Sequence, residues 1–146
     1  MDYDLRVIGK GPLESEYRRT AADLPVEFCG FVSDRGLLLG HYRWSHVLAV
    51  PSFTESFGLV YGEAMTQASP VIYTRGQGFD GFFPDGTVGF AVNPKDAGEI
   101  ADRVFDLHRN YSFFSRNSVR LAEQFRWADK VSELCRVYDA ATLTAT

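Results

Sequence analysis

The sequence predicts an α/β protein built on a parallel β-sheet with helices on both faces. Three observations lead there. Short apolar runs at residues 5–8, 26–32, 47–50, 71–74 and 89–92 alternate with helical stretches. Parallel neighbours need a crossover between them, and the intervening helical segments supply it. The chain, at 146 residues, is long enough for one domain with one well-formed core.

Taken in order, Leu5-Arg6-Val7-Ile8 reads as a buried strand entering the turn Gly9-Lys10-Gly11-Pro12, where the proline suits a helix start. Residues 13–24 mix Glu14, Glu16, Arg18 and Arg19 with helix formers, as a surface helix does. Residues 26–32 are strand-like, and Asp34 can cap a helix reaching about Trp44. Another buried strand, 47–50, is stopped by Pro51. A helix over 58–68 leads to the strand 71–74, a glycine-rich loop up to Gly86 and the short strand 89–92. From Asp96 the chain turns helical. Asp96 and Glu99 have capping-box spacing, with Asp in place of the usual Ser or Thr. Ile100, Val104 and Leu107 mark one face, and a final helix aligns Trp127, Val131, Leu134, Cys135 and Tyr138 in one stripe. Only the tail, 140–146, is expected to fray.

Composition narrows the function. With 45% hydrophobic and 23% charged residues the chain is an ordinary globular protein, not a disordered one. A formal charge of -4 with no basic block argues against a nucleic-acid partner. Cys29 and Cys135 are far apart and in no CxxC pair, so they read as buried free thiols rather than a disulfide or metal site. No apolar run approaches membrane-spanning length, and the N-terminal residues read as a strand entering a loop rather than a signal peptide. The expected location is the cytoplasm.

Ligands of parallel sheets bind beyond the carboxyl ends of the strands, which singles out the loops 9–12, 32–34, 51–58 and 75–86. The richest is Pro51-Ser52-Phe53-Thr54-Glu55-Ser56-Phe57-Gly58, which leaves a strand and enters a helix. A helix start offers free amides and a positive dipole end to a phosphate, and Gly58 allows close backbone approach. A plain strand-to-helix turn capped by Ser56 has the same composition. Helical phase places Glu63 between Leu59 and Val60 on one flank, roughly 7 Å along the axis from Gly58 at about 1.5 Å per residue. That matches the reach from a terminal phosphate to a ribose in a nucleoside diphosphate, where a carboxylate could accept from two hydroxyls. A glutamate at the edge of a core would look the same.

PSFTESFGLVYGEA, with Glu55 and Glu63 separated by seven residues, resembles the E-x7-E motif of glycosyltransferase family 4, the group 1 GT-B enzymes. VIGKGPLESEY is similar to the family's strand–GxGP–helix segment and VEFCGFV to its strand before the base-binding loop. PVIYTRGQGFDGFFPDGTVGFAVNPKDAGEIADRV is similar to its last sheet strands and the helix after them. The likeness covers about residues 5–138.

The resemblance implies a Rossmann-like domain, the C-terminal half of a GT-B fold, which holds the donor of a retaining glycosyltransferase. Glu63 would bind the ribose hydroxyls, and Glu55, the catalytic candidate, would face the donor sugar or its leaving phosphate. Ser56 belongs to the same binding turn, and the amides of Phe57, Gly58 and Leu59 would meet sugar hydroxyls and diphosphate. Val32 would offer backbone hydrogen bonds to the base, and Gly9 and Gly11 would give clearance near the nucleotide. No metal or other cofactor is implied; the donor is a UDP or GDP sugar, and a glycan or lipid-linked acceptor would be held by an N-terminal domain. Cell-envelope polysaccharide synthesis is the expected setting, with room for peripheral membrane association of the full-length enzyme.

The family has a further strand, a Gly-Arg loop and a Lys-bearing helix before the strand at Leu5. The resemblance therefore implies a fragment truncated at its N-terminal edge, one that binds donor weakly and transfers no sugar by itself. Where members often carry Gly-Gly-x-Pro-Glu, this chain has Gln77-Gly78-Phe79-Asp80-Gly81. Of Phe79, Phe82 and Phe83, at least one is expected to fill local core; the loop could also line the sugar pocket or meet the absent domain. Arg75 fits either a phosphate or acceptor contact or a surface role. His46, where the family usually has Asp, reads as structural. Two other functions share the architecture: a nucleotide-sugar epimerase of GT-B type, and a degenerate, noncatalytic nucleotide-binding module.

Overall fold

A computed structural model describes residues 3–143. The chain divides into two compact units, one up to Gly40 and the other from His41 onward.

In the first unit, strands β1 (Leu5–Ile8) and β2 (Val26–Gly30) pair in parallel around helix α1 (Glu14–Thr20). Arg6 and Glu27 stand opposite each other in the register and form an ion pair of 2.9 Å. Arg18 fastens the helix to the sheet: its guanidinium lies 4.7 Å from the Phe28 ring and donates to the Phe28 carbonyl. The strand at Leu5 forms as expected, but it is not buried; Leu5 is 48% and Ile8 37% exposed. Burial depends on what lies beside a strand, and a local apolar run does not encode that. The strand predicted over 26–32 ends at Gly30, whose φ of +69° turns the chain out of extended geometry. The helix predicted over 13–24 is confined to α1.

Helix α2 (Arg35–Trp44) begins where expected, with the Leu37 amide donating to Asp34 Oδ1. The second unit then builds a three-stranded parallel sheet in the order β3 (Leu48–Ala49), β4 (Val71–Thr74), β5 (Gly89–Val92). All four residues of β4 are buried, so both faces of the strand are covered. On one side Ile72 packs with Val92, Leu107 and Phe114, which brings in α4 (Ala97–Arg109) and α5 (Tyr111–Ala122). On the other, the Tyr73 ring meets Tyr61 of α3 (Leu59–Thr66) and Phe79 of the following loop. Gly89 is obligatory beside β4, because a β-carbon there would fall on the Val71 carbonyl.

β3 is shorter and less buried than the predicted strand 47–50, because it is an edge of this sheet, although the Val50 amide extends the ladder to the Ile72 carbonyl. α3 stops short of residue 68. Ala68 takes a left-handed φ of +66°, and the amides of Ala68 and Ser69 turn back to the carbonyls of Met65 and Ala64. Asp96 caps α4 by accepting from the Glu99 amide, but Glu99 does not return the bond. Its carboxylate accepts from the Asn93 amide instead, so the capping box is half formed.

The predicted final helix forms, from Trp127 to Leu143, and a further helix and a 3-10 turn that no sequence pattern announced precede it. α5 follows α4 after Asn110 alone, and the turn Glu123–Phe125 precedes α6 (Trp127–Leu143). The stripe on α6 is displayed to solvent, with Trp127 75%, Val131 53%, Leu134 53% and Tyr138 64% exposed. Cys135, predicted buried, is exposed on the same helix, and Cys29 is half-buried, its thiol pushed up by burial and then by Glu27. Both are free thiols. Of the tail expected to fray, residues 140–143 continue α6, and residues 144–146 lie outside the described residues. Among the described residues no helix is long and apolar enough to cross a membrane.

Candidate functional site

The loop between β3 and α3 is held by three successive contacts from the chain leaving β4. The buried Thr74 hydroxyl donates to the Ser52 carbonyl at 2.6 Å. The Glu55 amide donates to Gln77 Oε1 at 2.9 Å. Gly78 then lies so close to the Ser56 carbonyl that no side chain would fit. The carboxyl end of the central strand thus sets the shape of the turn that carries the candidate residues.

Within that turn the Glu55 carboxylate accepts from the Ser56 amide at 2.9 Å, which places its charge over the loop backbone and consumes that donor. Gly58 is the N-cap of α3 in a left-handed conformation, φ +76°, and makes no side-chain cap bond; Ser56 does not cap the helix. A β-carbon on Gly58 would also strike the Tyr61 ring, so glycine is required twice over. Tyr61 anchors the same corner through a 2.8 Å bond from its hydroxyl to the Val50 carbonyl. Burial, and then the Glu55 charge, pushes the Tyr61 phenol up to about 12. Among the described residues, the amides of Phe57, Gly58 and Leu59 donate to no protein group; those of Gly58 and Leu59 are the free amides of a helix start, and Phe57 lies one residue before it.

The Phe57 ring is drawn into an aromatic cluster with Phe79, Phe82 and Phe125. Phe79 and Phe83 are buried and Phe82 is partly exposed, so local core filling accounts for two of the three loop phenylalanines. Phe125 was invisible as a partner in sequence, since it arrives from the 3-10 turn long after the loop.

Glu63 is half-buried, but not for the reason its helical phase suggested. The buried face of α3 is Tyr61, Gly62, Ala64 and Met65, whereas Leu59 is 66% exposed, so the Leu59 flank does not face the core. The Glu63 carboxylate is instead covered by Tyr42 of α2, whose hydroxyl donates to Oε2 at 3.3 Å. No local pattern signals that pair. Burial, and then Glu63, raises the Tyr42 phenol to about 12.

Glu55, Ser56, Phe57, Gly58, Leu59 and Glu63 therefore share one turn and one helix of the second unit. Gly9, Gly11 and Val32 belong to the first unit. There, Gly9 has a φ of +131° and donates its amide to the Gly30 carbonyl at 2.8 Å. A β-carbon on either Gly9 or Gly11 would meet nothing within 4 Å among the described residues. Val32 is half-buried just past β2. Arg75 is tied to Glu99 and to the Ala91 carbonyl, which bridges β4 to the start of α4. His46 packs edge-on against Tyr111 at 5.1 Å.

Residues 2–110 match the family described as "Glycosyl transferases group 1". The chain belongs to that family. Over 108 residues this group 1 glycosyltransferase chain is 38% identical to the D-inositol 3-phosphate glycosyltransferase of Mycolicibacterium smegmatis, an alignment covering 73% of the chain and 25% of that protein. Its fold is that of the C-terminal half of a GT-B enzyme. It superposes on sucrose-phosphate synthase from Thermosynechococcus elongatus with a TM-score of 0.79 at 24% identity, over 97% of the chain and 39% of the synthase. Anabaena HepE in complex with UDP-glucose gives a TM-score of 0.77 at 21% identity, over 98% of the chain and 41% of HepE. The chain spans 25% to 40% of the length of the curated relatives it matches.

Proposed function

We propose that the chain is the donor-binding part of a retaining glycosyltransferase. The full-length enzyme transfers a sugar from a UDP or GDP sugar to a glycan or lipid-linked acceptor, which an N-terminal domain holds, and it works in the cytoplasm in cell-envelope polysaccharide synthesis. One observation carries the reading. The uncommitted amides of residues 57–59 lie at the entry to the short helix that carries the half-buried Glu63 carboxylate, with no cation bonded to that carboxylate among the described residues. Amides at a helix start suit a diphosphate, and a carboxylate further along suits a ribose diol. The complex of HepE with UDP-glucose supports a nucleotide-sugar donor on this fold.

In this mechanism the helix dipole and amides stabilise charge growing on the leaving diphosphate. Glu63 fixes the nucleoside, and Glu55 lies where the loop meets the donor sugar. The domain alone transfers no sugar.

Thermal denaturation with nucleoside diphosphates tests the donor site, since a ligand bound only by the folded state raises the melting temperature. UDP or GDP is expected to stabilise the chain, and Glu63→Ala should weaken that binding roughly tenfold, the scale of a lost hydrogen bond to a charged group. A folded chain indifferent to every nucleotide would instead mark a degenerate module. In the full-length enzyme Glu55→Ala should lower turnover more than nucleotide affinity; an unchanged rate would remove Glu55 from the reaction.

A further inference from the structure

We infer that Tyr42 is a positioning residue for the nucleotide site: it holds one oxygen of the Glu63 carboxylate so that the other is presented to the ribose hydroxyls. The inference rests on the donor-site reading above and adds a residue to it. Tyr42 is 5% exposed, and a phenol that deeply buried needs an acceptor for its proton. Glu63 Oε2 is that acceptor, at 3.3 Å. Among the described residues no Lys, Arg or His pairs with Glu63, and no other donor reaches its carboxylate.

That choice of partner has chemical content. A lysine or arginine would neutralise the carboxylate and occupy it with charged donors that compete with a diol. A neutral phenol supplies one directed bond, leaves the negative charge in place and leaves Oε1 uncommitted for incoming hydroxyl donors. The Tyr42 backbone is fixed independently of the bond, because its carbonyl accepts from the Ser45 hydroxyl, which in turn contacts Ser69. The side chain rises from a helix rather than a loop, so the bond it offers to Glu63 is in place before ligand arrives.

Calorimetric titration with UDP and with 2′,3′-dideoxy-UDP, repeated with the guanine pair, separates this role from mere packing. The unmodified chain should bind the ribonucleotide at least about tenfold more tightly, as expected when two hydroxyl donors to a charged acceptor are removed. Tyr42→Phe should shrink that preference about fivefold by weakening the ribonucleotide alone, the scale of one hydrogen bond. Glu63→Ala, which removes the acceptor of the Tyr42 bond, should also lower the preference, and adding Tyr42→Phe to it should lower it no further. Equal weakening of both nucleotides by Tyr42→Phe, or an unaltered preference, overturns the inference while the donor-site reading stands. No preference in the unmodified chain, or no binding of either nucleotide, removes the ribose role of Glu63 and the inference with it.

Discussion

A β-carbon on Gly78 would fall on the carbonyl oxygen of Ser56. Two loops, one leaving β3 and one leaving β4, therefore touch backbone to backbone at the turn that carries Glu55. Only glycine permits that approach, and the neighbouring Gln77 uses it to reach the Glu55 amide.

Gly78→Ala should therefore displace the 55–57 turn. The expected cost is about 1–3 kcal/mol, typical of forcing extra volume into a packed site. Urea unfolding followed by far-UV circular dichroism measures it, with Gly40→Ala as the comparison. Gly40 lies within α2, where a β-carbon meets nothing, and the added methyl should be neutral or mildly stabilising. Equal effects at the two positions would contradict the close approach.

Ala68 closes α3 in a conformation that alanine disfavours, φ +66°. Glycine at this position should raise stability by about 1 kcal/mol, since a β-carbon in the left-handed region costs about 1–2 kcal/mol and glycine returns part of that as unfolded-state entropy. A higher melting temperature for Ala68→Gly is the expected result; a lower one would mean that the alanine methyl contributes packing worth more than the strain.

Tyr42 and Tyr61 are both pushed up to about 12, each chiefly by burial and then by a nearby glutamate, Glu63 and Glu55 respectively. Folding thus favours their protonated forms. Stability from this source is intact below the unfolded phenol value of about 10 and is lost as pH rises from there through about 12. Unfolding free energy measured across pH 9 to 11.5 should fall on the alkaline side, and Tyr42→Phe should make that fall shallower. A parallel curve for the variant would show that the Tyr42 phenol of the unmodified chain ionises as readily folded as unfolded.

How much of this was legible in the sequence depended on how local each cause was. Val71-Ile72-Tyr73-Thr74 is buried on both sides, so it reads as an unbroken apolar run, and the strand lies at those residues. Asp96 announced a helix start because a cap acts across three residues, yet the Glu99 carboxylate accepts from the Asn93 amide and pairs with Arg75 just past β4, partners that no local pattern names. α3 is apolar on most of its circumference, so periodicity had little with which to choose a face. It set Glu63 beside a core flank that turned out to carry an exposed Leu59. The E-x7-E spacing located the turn and the helix, whereas Tyr42, the residue bonded to Glu63, sits 21 positions upstream and belongs to no motif. The break at Asn110 escaped notice because both sides of it are helical. The exposure of Leu5, Ile8 and the α6 stripe follows from their surroundings, which no local pattern records.

The outward setting of Trp127 fixes how folding of this chain can be watched. Its indole is 75% exposed, and Trp44, its one counterpart, is 43% exposed, so both fluorophores already meet water in the native state. Their emission should shift little on denaturation. The dense ring lattice around Phe79, with Tyr61 and Tyr73 at 4.7 and 5.0 Å, should dominate near-ultraviolet dichroism instead, which makes that signal the sensitive optical reporter of the native packing around the Glu55 turn.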